Sequence, residues 1–134
     1  MPRTQTHLAP KQTLLLILLP MLATFVSLRL YLHLVQVRHI YPGGYLFHHL
    51  FLGALIDIPA AFVLAFGTRS RLVAFAAPAV LGVGSAMALD ELTYLVATNG
   101  TNADYVSAVS LRGAVVLISL AVILLLLLYW RHRD

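Results

Sequence analysis

Four long apolar segments alternate with short polar segments along the chain. The apolar segments cover roughly residues 13–32, 46–66, 72–96 and 109–130. A helix needs about 20 residues to cross a hydrocarbon core of about 30 Å, and each segment is long enough. The pattern therefore predicts an all-α protein, a four-helix transmembrane bundle in which successive helices run antiparallel, up and down.

The connections between the apolar segments are short and rich in turn-forming residues. Residues 67–71 have the sequence GTRSR, which predicts a tight hairpin between the second and third helices. The first segment follows Arg3 and Lys11, as in a secretory signal, but its apolar character continues to Leu34 without a small-residue cleavage pattern. We therefore expect an uncleaved first helix and one integral membrane domain over residues 1–134.

Composition agrees with a polytopic membrane protein. Hydrophobic residues make up 60% of the chain and charged residues 10%, against about 45–50% and about 25% in soluble domains. The chain has no cysteine, which excludes disulfide and thiolate chemistry. We expect membrane lipids as partners; a homodimer would enlarge the small interior that 134 residues enclose, but no pattern requires one.

The distribution of basic residues indicates how the chain is oriented. The net charge is +4, but six of the nine Lys and Arg residues flank apolar segments in the two tails and the 67–71 turn, so nucleic acid is not the expected partner. Basic residues accumulate on the cytoplasmic side of membrane proteins. We therefore expect a multi-pass protein of the cell membrane with both termini cytoplasmic.

This topology places unusual polar residues from all four helices at the same outer depth. An ionisable side chain inside a bilayer costs roughly 2.5–3.5 kcal/mol on insertion scales, so it marks a functional site by default. We expect one shared site. Its predicted catalytic residues are His49, Asp90 and Glu91, and its predicted binding residues are His48, Arg29, Arg112 and Tyr94.

Helical geometry predicts which neighbours Asp90 and Glu91 face. Consecutive helical residues point about 100° apart, so the two carboxylates should face different helices. Gly82 shares a face with Asp90, and Gly84 shares the adjacent face with Glu91. Small residues allow membrane helices to approach closely. The third helix is therefore predicted to have two close interfaces, each ending in a carboxylate.

Three segments together resemble a known family. Residues 45–53 (YLFHHLFLG), residues 82–91 (GVGSAMALDE) and the pair Asp104 and Tyr105 occur in this order. They resemble an uncharacterised family of small prokaryotic membrane proteins, which carry a His or His-His before a glycine on one helix, a GxGxxxxxDE segment on the next, and a DY soon afterwards. The resemblance covers about residues 45–105 and implies a shared histidine and carboxylate site.

Two of the three interpretations of this site concern its outer residues. In the first, the arginines neutralise the carboxylates in a structural polar plug that fixes helix order. In the second, the site is an enzyme centre that activates water against a lipid or prenyl head group. It would use a divalent metal such as zinc or iron, or, without metal, His49 as base, Glu91 as its orienting partner and Arg29 or Arg112 as an anion clamp. The predicted metal ligands are His48, His49, Asp90 and Glu91.

The third interpretation is proton-coupled transport. Asp57 lies about two helical turns deeper than His49, near the predicted centre of the membrane and just before Pro59. A chain of Asp, His and Glu side chains could relay protons across a bundle. The sequence therefore does not decide whether the protein is an enzyme, a transporter or a structural protein.

Overall fold

A computed structural model describes residues 6, 8–35 and 48–133 of the chain. These residues form α1 (Pro10–Leu34), α2 (His49–Phe66), α3 (Arg71–Ala97), the short α4 (Asn102–Tyr105) and α5 (Ala108–His132). All of these except α4 are long and apolar enough to cross a membrane. The predicted all-α four-helix transmembrane bundle is confirmed, although the predicted residues 46 and 47 of the second helix lie outside the described part of the chain.

The helices begin and end where local chemistry favours it. α2 ends at Phe66 because Gly67 adopts a positive φ of 74°, a conformation that glycine tolerates without strain. Ser70 then caps α3, its hydroxyl oxygen accepting a hydrogen bond from the Val73 N–H at 3.4 Å. Ser107 caps α5 by accepting from the Ser110 N–H at 3.2 Å. The predicted hairpin at residues 67–71 is therefore confirmed.

α3 is the central helix of the bundle. It packs against α1, α2 and α5, and α1 also packs against α5. Between α1, α3 and α5 lies a small apolar core formed by Met21, Ala86 and Ile118. Because α3 is surrounded on several sides, its small and polar residues are buried while the other long helices present mainly apolar side chains outwards.

Glycines allow α3 to lie close to two neighbouring helices. A Cβ atom at Gly53 of α2 would lie 2.5 Å from the Gly84 carbonyl oxygen, so these two glycines meet at the α2–α3 contact. A Cβ atom at Gly82 would overlap the carbonyl group of Ile17 on α1. The two predicted small-residue interfaces are thus confirmed, one towards α1 through Gly82 and one towards α2 through Gly84.

The outer surface of the four long helices is apolar. Large side chains such as Leu19, Phe66 and Leu72 are 60%, 77% and 78% exposed, respectively. Exposed aliphatic and aromatic side chains in such numbers would be unfavourable in water, but they are suited to acyl chains. The surface therefore supports contact with membrane lipids.

The close α1–α3 contact makes Gly82 sensitive to substitution. We expect Gly82→Ala to lower the free energy of unfolding by about 1–3 kcal/mol, because the added methyl group meets backbone atoms that cannot rotate away. Thermal unfolding of the detergent-solubilised protein, followed by circular dichroism, measures the change. Ala76→Val, at an exposed position of the same helix, is the control and should leave the midpoint unchanged. An unchanged midpoint for Gly82→Ala would contradict the tight contact.

Candidate functional site

Arg29 connects four helices at one end of the bundle. Its Nε atom donates to Asp90 Oδ1 at 2.5 Å, and its Nη2 atom donates to the Asp90 carbonyl oxygen at 3.1 Å. Nη1 donates to the carbonyl oxygen of Tyr105 at 3.1 Å, and both Nη atoms lie 3.3 Å from Ser110 Oγ. Arg29 on α1 therefore holds α3, α4 and α5 together through a buried ion pair and hydrogen bonds.

Glu91 forms the second half of the site, against α2. Its Oε1 atom lies 2.5 Å from His48 Nδ1 and accepts a hydrogen bond from the Tyr105 hydroxyl. Its Oε2 atom accepts from the Leu50 N–H at 2.6 Å and lies 3.2 Å from His49 Nδ1. The first N–H groups of a helix have no partner within the helix, and the dipole there favours a negative charge. Glu91 therefore caps α2 while pairing with its histidines.

His49 lies between the two carboxylates. Its Nδ1 atom is 3.2 Å from Glu91 Oε2, and its Nε2 atom is 3.3 Å from Asp90 Oδ2. The second pair is within ion-pairing distance, yet both atoms are buried and neither has a hydrogen-bond partner. His49 Nε2 and Asp90 Oδ2 are therefore close to each other but not aligned to form a hydrogen bond. The prediction that Asp90 and Glu91 face different helices holds in part: only Asp90 pairs with Arg29 of α1, but both carboxylates lie next to His49 of α2, a bridging position that was not predicted.

The charges of the site nearly balance without any added ion. Arg29 contributes one positive charge, and Asp90 and Glu91 contribute two negative charges, so the set is neutral when one imidazole carries a proton. Buried charges are tolerated when they are paired and hydrogen-bonded. The carboxylates of the site are therefore compensated by side chains of the bundle itself.

Two tyrosine rings cover the Glu91 side of the site. The rings of Tyr94 and Tyr105 stack with their centroids 3.8 Å apart, and Tyr94 donates its hydroxyl hydrogen to the Gly100 carbonyl oxygen at 2.7 Å. Burial raises the pKa of the Tyr105 hydroxyl, and its hydrogen bond to Glu91 raises the pKa further. Tyr105 therefore stays a neutral phenol that donates to the carboxylate.

A short capping structure positions Tyr105. The Asp104 Oδ2 atom accepts hydrogen bonds from the Thr101 N–H at 3.0 Å and from the Thr101 hydroxyl at 2.9 Å. These bonds favour the ionised carboxylate and lower the pKa of Asp104. The first turn of α4 is fixed in this way, and it presents Tyr105 to Glu91 and to Arg29.

The predicted site residues are not all brought together. Arg29, His48, His49, Asp90, Glu91 and Tyr94 lie in one cluster. Arg112 instead is exposed on α5, and within the described residues it forms no hydrogen bond or ion pair. The guanidinium of Arg29 is already bound through all three of its nitrogen atoms. Neither arginine is therefore placed as the anion clamp that the sequence suggested.

Two members of the site were missed by the sequence reasoning. Ser110 is fully buried and accepts from Arg29, but from sequence it cannot be told apart from a helix-capping serine such as Ser107. Tyr105 contributed to the family resemblance without being assigned to the site. A tyrosine has an apolar ring and a polar hydroxyl group that usually needs a partner when buried, and this property could have indicated that Tyr105 belongs to the site.

The predicted zinc or iron site is not supported by the described residues. Within the described ranges, no group of three or more His, Asp and Glu side chains is arranged to hold a metal ion. The physical reason is that the predicted ligands are directed at one another and at Arg29 and Tyr105, with ion-pair distances of 2.5–3.3 Å. A metal would need their lone pairs to converge at about 2.0–2.2 Å. The residues concerned are His48, His49, Asp90 and Glu91.

Comparisons of the chain with protein-family models, with curated proteins and with solved structures find no match. The resemblance of residues 45–105 to small prokaryotic membrane proteins therefore stays a prediction.

The buried ion pair predicts a strong effect of removing one partner. We expect Arg29→Met to lower the free energy of unfolding by about 3–5 kcal/mol, because Asp90 then keeps an unpaired buried charge. The double variant Arg29→Met with Asp90→Leu should regain most of that loss, since both charges are absent. Thermal or denaturant unfolding in micelles measures both. Arg112→Gln is the exposed control and should change stability by no more than about 0.5 kcal/mol.

The lowered pKa of Asp104 predicts that the stability of α4 depends on pH. The folded-state pKa of Asp104 is lowered, so its stabilising bonds are present at neutral pH and are lost as the pH falls through that pKa. An NMR titration should give a midpoint below the ordinary value of 3.8. Thr101→Val removes one of the two donors and should raise the midpoint towards that value. A midpoint that does not change in Thr101→Val would disprove the hydroxyl contribution.

Proposed function

We propose that this integral membrane protein is a hydrolase in which His49 activates water against an ester bond in the head group of a lipid or prenyl substrate. The observation that carries this proposal is the environment of the imidazole. His49 Nδ1 is paired with Glu91 Oε2 at 3.2 Å, while the buried Nε2 atom has no hydrogen-bond partner. One ring nitrogen is thus oriented by a carboxylate, and the other is left to accept a proton.

The arrangement has the parts of a general-base site. A carboxylate bound to Nδ1 fixes the tautomer in which Nε2 is the acceptor and stabilises the imidazolium that forms. Asp90 Oδ2, 3.3 Å from Nε2 and without a hydrogen-bond partner, supplies a second negative group next to the developing positive charge. In the proposed step, His49 takes a proton from water, and the water oxygen bonds to the carbon or phosphorus atom of the ester. The bond from that atom to the leaving oxygen breaks, and the leaving alcohol receives the proton from His49.

The depth of the site supports a head group as the substrate. α3 has 27 residues and is about 40 Å long, about 10 Å more than a hydrocarbon core. Glu91 lies six residues before the end of α3, about 9 Å along the axis, and so about 4 Å inside the hydrocarbon boundary of a centred helix. An ester at the junction of head group and acyl chains would be near His49. With both termini cytoplasmic, as the basic residues predict, this is the outer leaflet of the cell membrane.

The Arg29 half of the site has a different role in this proposal. Arg29 bonds to Asp90, Tyr105 and Ser110, which favours a structural function. It holds Asp90 next to His49 and keeps α5 against α3. The structural interpretation therefore applies to this half, and the acid–base interpretation applies to His49 and Glu91.

Hydrolysis can be tested directly on defined lipids. The protein is placed in nanodiscs of phosphatidylethanolamine and phosphatidylglycerol with a polyprenyl phosphate, and released products are identified by mass spectrometry. We expect His49→Gln to reduce hydrolysis at least about 100-fold, because general-base catalysis contributes about 10²–10⁴. Glu91→Gln should also reduce the rate, since it weakens the orientation of the imidazole.

The control is Arg112→Gln, which changes an exposed charge on α5 and should leave hydrolysis unchanged. Circular dichroism of each variant shows whether the bundle is retained. Absence of hydrolysis by the wild-type protein would refute the proposal. So would a folded His49→Gln variant that hydrolyses these lipids as fast as the wild type.

A further inference from the structure

A second polar site lies deeper in the bundle, in an open cavity of about 310 Å³. Four helices line this cavity, and its polar lining residues are Asp57 of α2 and Ser85 of α3. The other lining residues are apolar, among them Met21 of α1 and Leu124 of α5. Small-molecule sites in proteins have this character, with apolar walls and a few placed polar groups in a volume of about 300–1,000 Å³.

The hydrogen-bond donors to the Asp57 carboxylate come from a single residue, Ser85. Ser85 Oγ donates to Asp57 Oδ2 at 3.0 Å, while Asp57 Oδ1 is buried without a hydrogen-bond partner. An ionised carboxylate has about four acceptor positions, so the one serine satisfies only a small part of its capacity. Gly84 provides the space for this side chain, because a Cβ atom there would overlap Oδ1.

Asp57 also lacks a counter-ion within the described part of the chain. The ion pairs there join Arg29, His48 and His49 to Asp90 and Glu91, and none includes Asp57. Asp57 lies eight residues after His49 and nine before Phe66, about 12 Å and about 14 Å from the two ends of α2. A charge at this depth is costly unless it meets an opposite charge, so a bound cation would stabilise the ionised carboxylate.

We propose that this cavity binds an alkylammonium ligand, with its N–H groups on Asp57 and its alkyl chain along the apolar walls. The acceptor capacity that Ser85 leaves on the Asp57 carboxylate favours a primary or secondary ammonium, which donates hydrogen bonds, over a quaternary ammonium, which donates none. The apolar lining favours a chain over a small hydrated cation. This site is separate from the proposed hydrolytic site and uses none of its residues.

Isothermal titration calorimetry of the full chain in nanodiscs tests the proposal, with octylammonium as the probe and empty nanodiscs as the blank. We expect saturable binding of one octylammonium per chain at neutral pH. Asp57→Asn should weaken binding at least about tenfold, because it removes the charge of the acceptor at nearly constant shape. Octyltrimethylammonium, with the same chain and charge but no N–H group, should bind more weakly than octylammonium.

Two matched variants complete the test. Asp104→Asn makes the same chemical change outside the cavity, and His49→Gln disables the proposed hydrolytic site; both should bind octylammonium like the wild type. The proposal is overturned if the wild type shows no saturable binding or if a folded Asp57→Asn variant binds equally well. Equal binding of octyltrimethylammonium, or loss of binding in His49→Gln, would also overturn it. None of these results depends on whether lipids are hydrolysed.

Discussion

Two adjacent carboxylates in the central helix set the arrangement of this bundle. Asp90 and Glu91 are almost completely buried, and their side chains point in directions about 100° apart. Each needs its own positive or hydrogen-bonding partner, because an unpaired charge in this environment is costly. Arg29 on α1 meets Asp90, and the histidines and the N-terminus of α2 meet Glu91. Helix packing around α3 is therefore coupled to charge compensation.

The glycines on α3 make this compensation sterically feasible. Gly82 brings α1 close to the face of Asp90, and Gly84 brings α2 close to the face of Glu91. Larger residues at these positions would separate the helices and lengthen the ion pairs at their ends. The same small residue that admits α2 also makes room for Asp57, so the packing of one interface serves both the outer site and the deeper cavity.

The buried polar groups of the bundle differ in how completely they are satisfied. The guanidinium of Arg29 is bound on every side, which is the behaviour of a structural element. His49 Nε2, Asp57 Oδ1 and Asp90 Oδ2 are buried polar atoms without hydrogen-bond partners. Buried polar groups are usually paired, and the roles proposed for His49 and Asp57 start from this departure. Asp90 belongs to both groups, because its Oδ1 atom pairs with Arg29 while its Oδ2 atom has no hydrogen-bond partner.

The apolar pattern of the sequence was sufficient to predict the four membrane helices, because segment length and hydropathy decide whether a helix can span a bilayer. Helical periodicity was also sufficient to assign Asp90 and Glu91 to different neighbours. The sequence could not show that Arg29 is fully occupied, that Arg112 points away, or that His49 bridges both carboxylates. These outcomes depend on side-chain directions and on distances between helices. Spacing along one helix places a residue on a face, but only the packed structure decides which atoms on that face find partners.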